Sequence, residues 1–179
     1  MRGTAFQNIG PFVANLKDKA EIDQRVTDFF VSTTLKTNNK DVCYYASFNF
    51  PAFIYVTGKD HWHRFRKLYM KLTSSSDIPT LRSLSASLHE IARILGPELT
   101  NTDLIPIADR FLRHNNSEVR IAVTKNLHVF LAEVDTEKRS EYIQYILQTF
   151  NEAGNDWRTK ELIAKNLGKY ATLFDKKIV

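Results

Sequence analysis

An apolar residue followed by arginine occurs three times in this chain at one constant spacing. The pairs are Leu81-Arg82, Val119-Arg120 and Trp157-Arg158, and the two steps between them are equal (120 − 82 and 158 − 120). Each pair follows a polar turn and begins a run in which apolar residues recur at helical spacing. Repeats of this length are typical of stacked two-helix units. We therefore predict an all-α fold, an α-solenoid of helical hairpins with a period of about 38 residues.

Two glycines repeat with the same spacing. Gly58 and Gly96 are separated by the step that separates the arginines (96 − 58), and each follows an apolar run, where glycine can adopt the positive φ that ends a helix. Pro51 and Pro106 lie inside predicted helices and are expected to distort them. The paired helices of three complete hairpins are predicted at 62–72 and 81–95, at 103–113 and 118–133, and at 137–150 and 156–174.

The N-terminal part of the chain is less regular. Residues 1–16 are predicted to form the helix of an incomplete N-terminal repeat, because apolar side chains recur at steps of three and four. Residues 17–40 are mostly polar and are predicted to be a linker with one short helix, ending in a loop from Thr33 to Lys40. Residues 41–179 are predicted to form the solenoid.

Composition restricts the cellular setting and the partners. The chain is 43% hydrophobic and 25% charged, as in soluble folded proteins. Its one cysteine, Cys43, fits a reducing compartment, and no apolar run approaches the roughly 20 residues of a membrane helix. We expect a cytoplasmic and nuclear protein with no membrane partner. The net charge is +5, but Lys and Arg are scattered, which argues against nucleic acid as a partner.

The abrupt stop at Ile178-Val179 suggests a fragment or a short relative of a longer repeat protein.

Motifs for catalysis or metal binding are not found in the sequence. A glycine-rich phosphate loop, HExxH and CxxC are all missing. His61 and His63 are two residues apart and do not share a helix face. Cys43 lies on an apolar stripe and is expected to be a buried, inert thiol. We predict no enzyme activity, no catalytic residue, no metal and no cofactor.

The polar turns inside the hairpins are predicted to cap the second helix of each pair. Such residues accept backbone hydrogen bonds that a helix start leaves unpaired. The predicted caps are Asp77, Ser117, Glu118, Asn155 and Asp156. The apolar residues expected to be buried behind them are Leu81, Val119 and Trp157. The arginines expected to form a structural ladder with acidic groups of adjacent repeats are Arg82, Arg120 and Arg158.

Several stretches, taken together and in order, resemble one known family. Glu118-Val119-Arg120 at the start of a helix, and Asp103-Leu104-Ile105-Pro106 before it, resemble the HEAT repeat. The more particular resemblance lies in residues 2–13, 43–62, 81–96 (LRSLSASLHEIARILG), 99–106, 118–131 (EVRIAVTKNLHVFL) and 156–162. These are similar to the protein phosphatase 4 regulatory subunit 1 family, which is related to the scaffold subunit of protein phosphatase 2A. The family has a long acidic insertion where this chain has only residues 16–40, and it continues with further repeats.

The resemblance implies a non-catalytic regulatory scaffold. Its partners would be a serine/threonine phosphatase catalytic subunit of the phosphatase 4 type and phosphoprotein substrates. In the related scaffold family, the turns within the hairpins hold the catalytic subunit. The matching residues here are Ser74, Ser75, Ser76, Asp77, Asn115, Asn116, Ser117, Glu118, Asn155, Asp156, Trp157 and Arg158. For Trp157 a buried position in its repeat is favoured over an exposed binding anchor.

Two other functions stay open at this point. One is a HEAT-repeat adaptor for another protein cargo, of the transport type, although the acidic inner faces expected of it are missing. The other is a HEAT module that binds nucleic acid, which would require a basic inner stripe and would show steep salt dependence. The residues that hint at such a stripe are Arg93, Lys125, Lys160 and Lys165.

Overall fold

The computed structural model describes residues 2–15, 24–151 and 157–174. All regular secondary structure within these ranges is helical, which confirms the all-α class. The chain divides into two compact units, residues 1–87 and 88–179. Within each unit, some helices pack on a neighbour in sequence and others pack on a helix further along the chain, as in a solenoid of stacked helical hairpins. Among the described helices, none combines the length and the hydropathy of a membrane-spanning segment.

The described residues of the first unit form five α-helical segments. They are α1 (Arg2–Ala14), α2 (Gln24–Lys36), α3 (Lys40–Thr57), α4 (Trp62–Thr73) and the first part of α5 (Ile78–Leu99). A 3₁₀ turn, Lys59–His61, joins α3 to α4. α1 packs on α3, while α2 packs on both α3 and α4. The helices α3 and α4 therefore form the centre of this unit.

Aromatic side chains form much of the core of the first unit. The Phe30 ring stacks on the Phe53 ring with centroids 3.9 Å apart, and the Phe50 and Tyr69 centroids are 4.9 Å apart. All four side chains are fully buried. Burial of each is worth roughly 1.5 to 3 kcal/mol, and aromatic pairs add about 0.5 to 1.5 kcal/mol. These contacts join α2, α3 and α4.

α2 is longer than the sequence predicted. The predicted loop from Thr33 to Lys40 is wrong, because α2 continues to Lys36 and the connection spans only residues 37–39. α2 buries Phe30 together with Thr27 and Thr34, and such threonines count as polar in a sequence pattern. Thr34 tolerates burial because its hydroxyl donates to the Phe30 carbonyl at 2.7 Å. The division into linker and solenoid at residue 40 stays a prediction.

A buried amide connects α1 to α3. The Asn49 side chain donates to the Phe6 carbonyl of α1 at 2.6 Å and to the Tyr45 carbonyl at 2.9 Å. Gly10 lies at the closest approach of the two helices, where an added Cβ would meet the Asn49 side chain. The predicted N-terminal helix is confirmed, and Pro11 lies within it.

In the second unit, the described ranges contain the rest of α5 and five further α-helices. These are α6 (Ile105–Leu112), α7 (Ser117–Lys125), α8 (Leu127–Ala132), α9 (Thr136–Asn151) and α10 (Trp157–Ala171). α7 packs on α6, and α10 packs on α7, α8 and α9. The amide oxygen of Asn101 accepts from the Asp135 N–H at 3.2 Å, which holds the start of α9.

The two repeated glycines end helical segments, as predicted. Gly58, after α3, has φ 76° and ψ 173°, and Gly96, inside α5, has φ 78° and ψ 178°. This region is open essentially to glycine alone. Gly96 therefore separates α5 into two helical segments.

The two prolines have different settings. α3 continues through Pro51 to Thr57. Pro106 lies in the first turn of α6 rather than in a helix interior, directly after a π-helical turn over Thr100–Leu104. The distortion expected near Pro106 is therefore present as a π turn, which is one of the ways a helix accommodates a break in its hydrogen bonds. Pro51, in contrast, does not end α3.

The helix predicted over 118–133 is interrupted. Asn126, with φ −121° and ψ 22°, separates α7 from α8. Asparagine favours such positions because its side chain competes with helical hydrogen bonds. The Asn126 carbonyl then accepts from the N–H groups of Val129 and Phe130 and so begins α8.

Candidate protein-binding turns

The first candidate turn lies in the first unit and is closed by hydrogen bonds. The Asp77 carboxylate accepts from the Thr80 N–H at 3.1 Å and from the Thr80 hydroxyl at 2.8 Å. The Ser75 hydroxyl oxygen accepts from the Asp77 N–H at 3.1 Å. Asp77 therefore caps α5, as predicted. Ser74 and Ser76 are the exposed residues of this turn.

The second candidate turn lies in the second unit, and its cap differs from the prediction. Asn116, rather than Ser117 or Glu118, caps α7, because its side-chain oxygen accepts from the Glu118 N–H at 2.9 Å. Arg120 closes the same turn by donating to the His114 carbonyl at 2.6 Å and to the Asn115 carbonyl at 2.9 Å. The Glu118 carboxylate is left at the surface.

The described part of the third candidate turn begins at Trp157. Asn155 and Asp156 lie outside the described residues. Trp157 begins α10 and is 67% exposed, so the expectation that it is buried in its repeat is wrong. Leu81 and Val119, at the matching positions, are buried as expected.

The exposure of Trp157 follows from a two-residue shift in the third hairpin. Val119 and Val123 are buried on α7, and Thr159 and Ile163 are buried on α10. The matching buried residues are 40 positions apart in the sequence (159 − 119 and 163 − 123), whereas the arginines are 38 positions apart (158 − 120). The buried face of α10 is therefore shifted by two residues relative to the arginine spacing. Two residues turn a helix by about 200°. The constant spacing of the apolar-Arg pairs therefore does not keep the third pair on the buried face.

Arg158 connects the third turn to the second. Its guanidinium lies 3.7 Å from the Glu118 carboxylate and 5.6 Å from the centre of the Trp157 ring. Because Arg158 and Glu118 are about half exposed, the ion pair contributes only about 0 to 1 kcal/mol. Arg120 binds carbonyls of its own turn, and Arg82 lies exposed in the other unit. A ladder of all three arginines stays a prediction.

A cleft of about 280 Å³ lies beside the second turn. The Tyr145 hydroxyl donates to the Leu112 carbonyl at 3.1 Å and so joins α9 to the end of α6. The residues that line the cleft and were not predicted as site residues are Leu112, Arg113, Tyr145, Gln148, Thr149 and Thr159. They come from three helices and one turn, so no local spacing in the sequence groups them.

The other candidate groups do not form a reactive site. Cys43 is partly exposed rather than buried. Burial raises the pKa of its thiol, and the positive charge of Lys71 offsets only part of this effect. The exposed rings of His61 and His63 are 6.5 Å apart. Within the described ranges, no group of three or more His, Cys, Asp or Glu side chains could hold a metal ion.

The fold and the turns define a class: an all-α protein of paired helices whose intra-hairpin turns expose an aromatic ring and charged side chains. Residues 46–150 match the family model of the protein phosphatase 4 regulatory subunit 1 middle domain. This match covers more than half of the chain. The chain belongs to this family.

Three mammalian relatives support the same assignment. The human, mouse and rat serine/threonine-protein phosphatase 4 regulatory subunit 1 are each 35% identical to this chain over 152 residues. The aligned region is 82% of this chain and 16% of each relative. The chain therefore spans only a small part of the length of these relatives.

Proposed function

We propose that this chain is part of a non-catalytic regulatory and scaffold subunit. It binds a serine/threonine phosphatase catalytic subunit of the phosphatase 4 type, together with phosphoprotein substrates, in the cytoplasm and the nucleus. The observation that supports this proposal is membership of a family whose relatives are named as phosphatase regulatory subunits. The family assignment favours this function over a transport adaptor or a nucleic-acid-binding module.

The proposed contact surface in the second unit consists of Glu118, Trp157 and Arg158. Aromatic residues and arginine dominate the binding energy of protein interfaces. Trp157 is 67% exposed, so a partner can bury most of its ring without any rearrangement of the helices. In the first unit, the proposed contact is the turn from Ser74 to Asp77.

The test is recovery of phosphatase catalytic subunits from cell extract by the immobilised chain, measured by mass spectrometry. We expect Trp157→Ala to reduce recovery about tenfold or more, because truncation of an aromatic anchor costs about 2 kcal/mol or more. The matched control is Phe48→Ala, since Phe48 is 61% exposed on α3 and lies outside the turns.

A second pair of variants tests the charge of the turn. Glu118→Lys should reduce recovery, whereas Glu137→Lys, which makes the same change in the first turn of α9, should leave it unchanged. If no variant changes recovery, the proposed surface is wrong but the function stands. If the unmodified chain recovers no phosphatase catalytic subunit, the proposed function is overturned.

A further inference from the structure

The cleft beside the second turn has a positive lining. Its volume is about 280 Å³, far above the roughly 10 to 15 Å³ that one water molecule needs, so it has room for a side chain. Arg113 and Arg120 line it, and none of the described residues of its lining is acidic. Glu118, on the same helix as Arg120, pairs with Arg158 and does not line the cleft.

The two arginines have different roles in this lining. Arg120 is held by its own turn, because one of its guanidinium nitrogens donates to the His114 and Asn115 carbonyls. The guanidinium of Arg113 is exposed and makes no hydrogen bond or ion pair within the described part of the chain. Arg113 also lines a smaller neighbouring cleft that contains Asp109 and Glu141. The larger cleft therefore has one cation fixed by its own turn and one whose charge a ligand would share with these two carboxylates.

The charges of both arginines act on Tyr145, which lines the cleft. Burial raises the pKa of its hydroxyl, while the charges of Arg120 and Arg113 act in the opposite direction. The positive charges of Arg113 and Arg120 therefore reach the side of the cleft formed by α9.

Thr159 supplies the second, independent observation. Its side chain is 2% exposed, and its hydroxyl has no hydrogen-bond partner among the described residues. A buried hydroxyl without a partner costs roughly 1 to 3 kcal/mol. Thr159 lines the cleft, but its hydroxyl oxygen is closed to solvent, so rotation of the side chain would bring the hydroxyl to an acceptor bound there.

We propose that this cleft binds the phosphate of a phosphorylated serine or threonine side chain of a substrate protein. A phosphate monoester carries nearly two negative charges and three strong acceptor oxygens. Two guanidinium groups and one hydroxyl can serve these oxygens, and arginine forms the stronger charge-assisted bonds with phosphate. The identity of the ligand as a phosphatase substrate rests on the proposed function, whereas the site itself rests on the cleft.

The test is a titration of the ¹⁵N-labelled chain with N-acetyl-O-phosphoserine amide, followed by NMR. We expect saturable shifts of the Arg113 and Thr159 resonances. N-acetyl-serine amide, N-acetyl-glutamate amide and inorganic phosphate are titrated in parallel and should each bind at least severalfold more weakly.

Variants assign the site to its residues. Arg113→Gln should weaken binding about tenfold, and Thr159→Val should weaken it severalfold. Thr159→Val is close to isosteric and removes the unpaired hydroxyl, so its free energy of unfolding should not fall. The matched control is Arg110→Gln, which removes the same charge from an exposed position on α6 and should change affinity less than twofold.

Two kinds of titration result would count against the site. Shifts that do not saturate, or equal losses in Arg113→Gln and Arg110→Gln, would show only general attraction to a basic surface. Equal affinity for inorganic phosphate or N-acetyl-glutamate amide would exclude selection of a phosphorylated side chain. Loss of phosphatase recovery with intact titration would overturn the proposed function alone, and the reverse result would overturn this site alone.

Discussion

Hydrogen bonds from single side chains hold helices together at positions that the repeat pattern does not predict. Asn49 donates to the Phe6 carbonyl across two helices, and the Tyr142 hydroxyl donates to the Asp109 carboxylate at 2.8 Å. Arg139 donates to the Val134 carbonyl near the start of α9 and to the Leu173 carbonyl after α10. Apart from the bond between Arg139 and Val134, these contacts join residues 33 to 43 apart in sequence. They fix the positions of helices whose existence local patterns already predict.

Gly10 gives a prediction at this scale. Gly10→Ala should lower the free energy of unfolding by about 1 to 3 kcal/mol, because the new methyl group would displace the buried Asn49 side chain. The measurement is urea denaturation followed by circular dichroism.

The matched control for this change is Gly168→Ala in α10, where an added Cβ meets no atom within 4 Å. This substitution should raise the free energy of unfolding by roughly 0.5 to 1 kcal/mol, because alanine favours the helix. Equal effects of the two substitutions would show that α1 does not approach α3 closely in solution.

At the scale of elements, α2 shows how a polar sequence can form part of a core. Its aromatic Phe30 packs on α3, and its C-terminus is bound by a single lysine of α4. The Lys71 ammonium donates to the carbonyls of Thr34, Leu35 and Thr37 at 3.1, 2.9 and 2.7 Å. These three bonds use all three donors of a lysine, and the positive charge also favours the helix C-terminus.

Lys71→Met should therefore detach the end of α2. We expect the free energy of unfolding to fall by about 1 to 3 kcal/mol, because three charge-assisted bonds are lost while the aliphatic stem is kept. Hydrogen exchange should show faster exchange of the α2 amides.

Lys67→Met, an exposed lysine on the same helix, is the control and should change neither quantity appreciably. If Lys71→Met behaves like this control, α2 does not depend on the lysine cap, and its aromatic contacts alone hold it.

At the scale of the whole molecule, protonation of His128 affects the free energy of unfolding. His128 lies against the edge of Tyr170, with ring centres 6.1 Å apart. Burial lowers the pKa of His128 below the ordinary value of 6.5, and the charges of Lys169 and His89 lower it further. The unfolded chain therefore binds a proton at this position more readily than the folded chain does.

The free energy of unfolding should consequently fall as the pH drops from about 7 through 6.5 and on through the lowered pKa of His128. His128→Phe keeps an aromatic ring against Tyr170 and removes the titration, so its pH dependence should be flatter in this window. Urea denaturation at pH 8, where histidine is neutral in both states, provides the baseline. An unchanged slope in the variant would assign the acid sensitivity to other groups.

The positions of most helices and their period follow from local residue patterns. The spacing of apolar residues, the caps and the two repeated glycines act within one or two helical turns, so they are visible locally. Asp77 as a cap, and Gly58 and Gly96 as helix ends, could be predicted for this reason. The family resemblance is also visible in the sequence, because it lies in stretches of consecutive residues.

Which side chains meet depends instead on how the helices pack. The exposure of Trp157 depends on a two-residue shift in the rotation of α10, and that rotation is set by the helices packed against it. The burial of Thr27 and Thr34 depends on the surface that receives α2. The cleft combines Arg113, at the end of α6, with Thr159 of α10, which are far apart in the sequence. A residue pattern specifies a helix, but its buried face and its neighbours are set by packing free energy summed over distant segments.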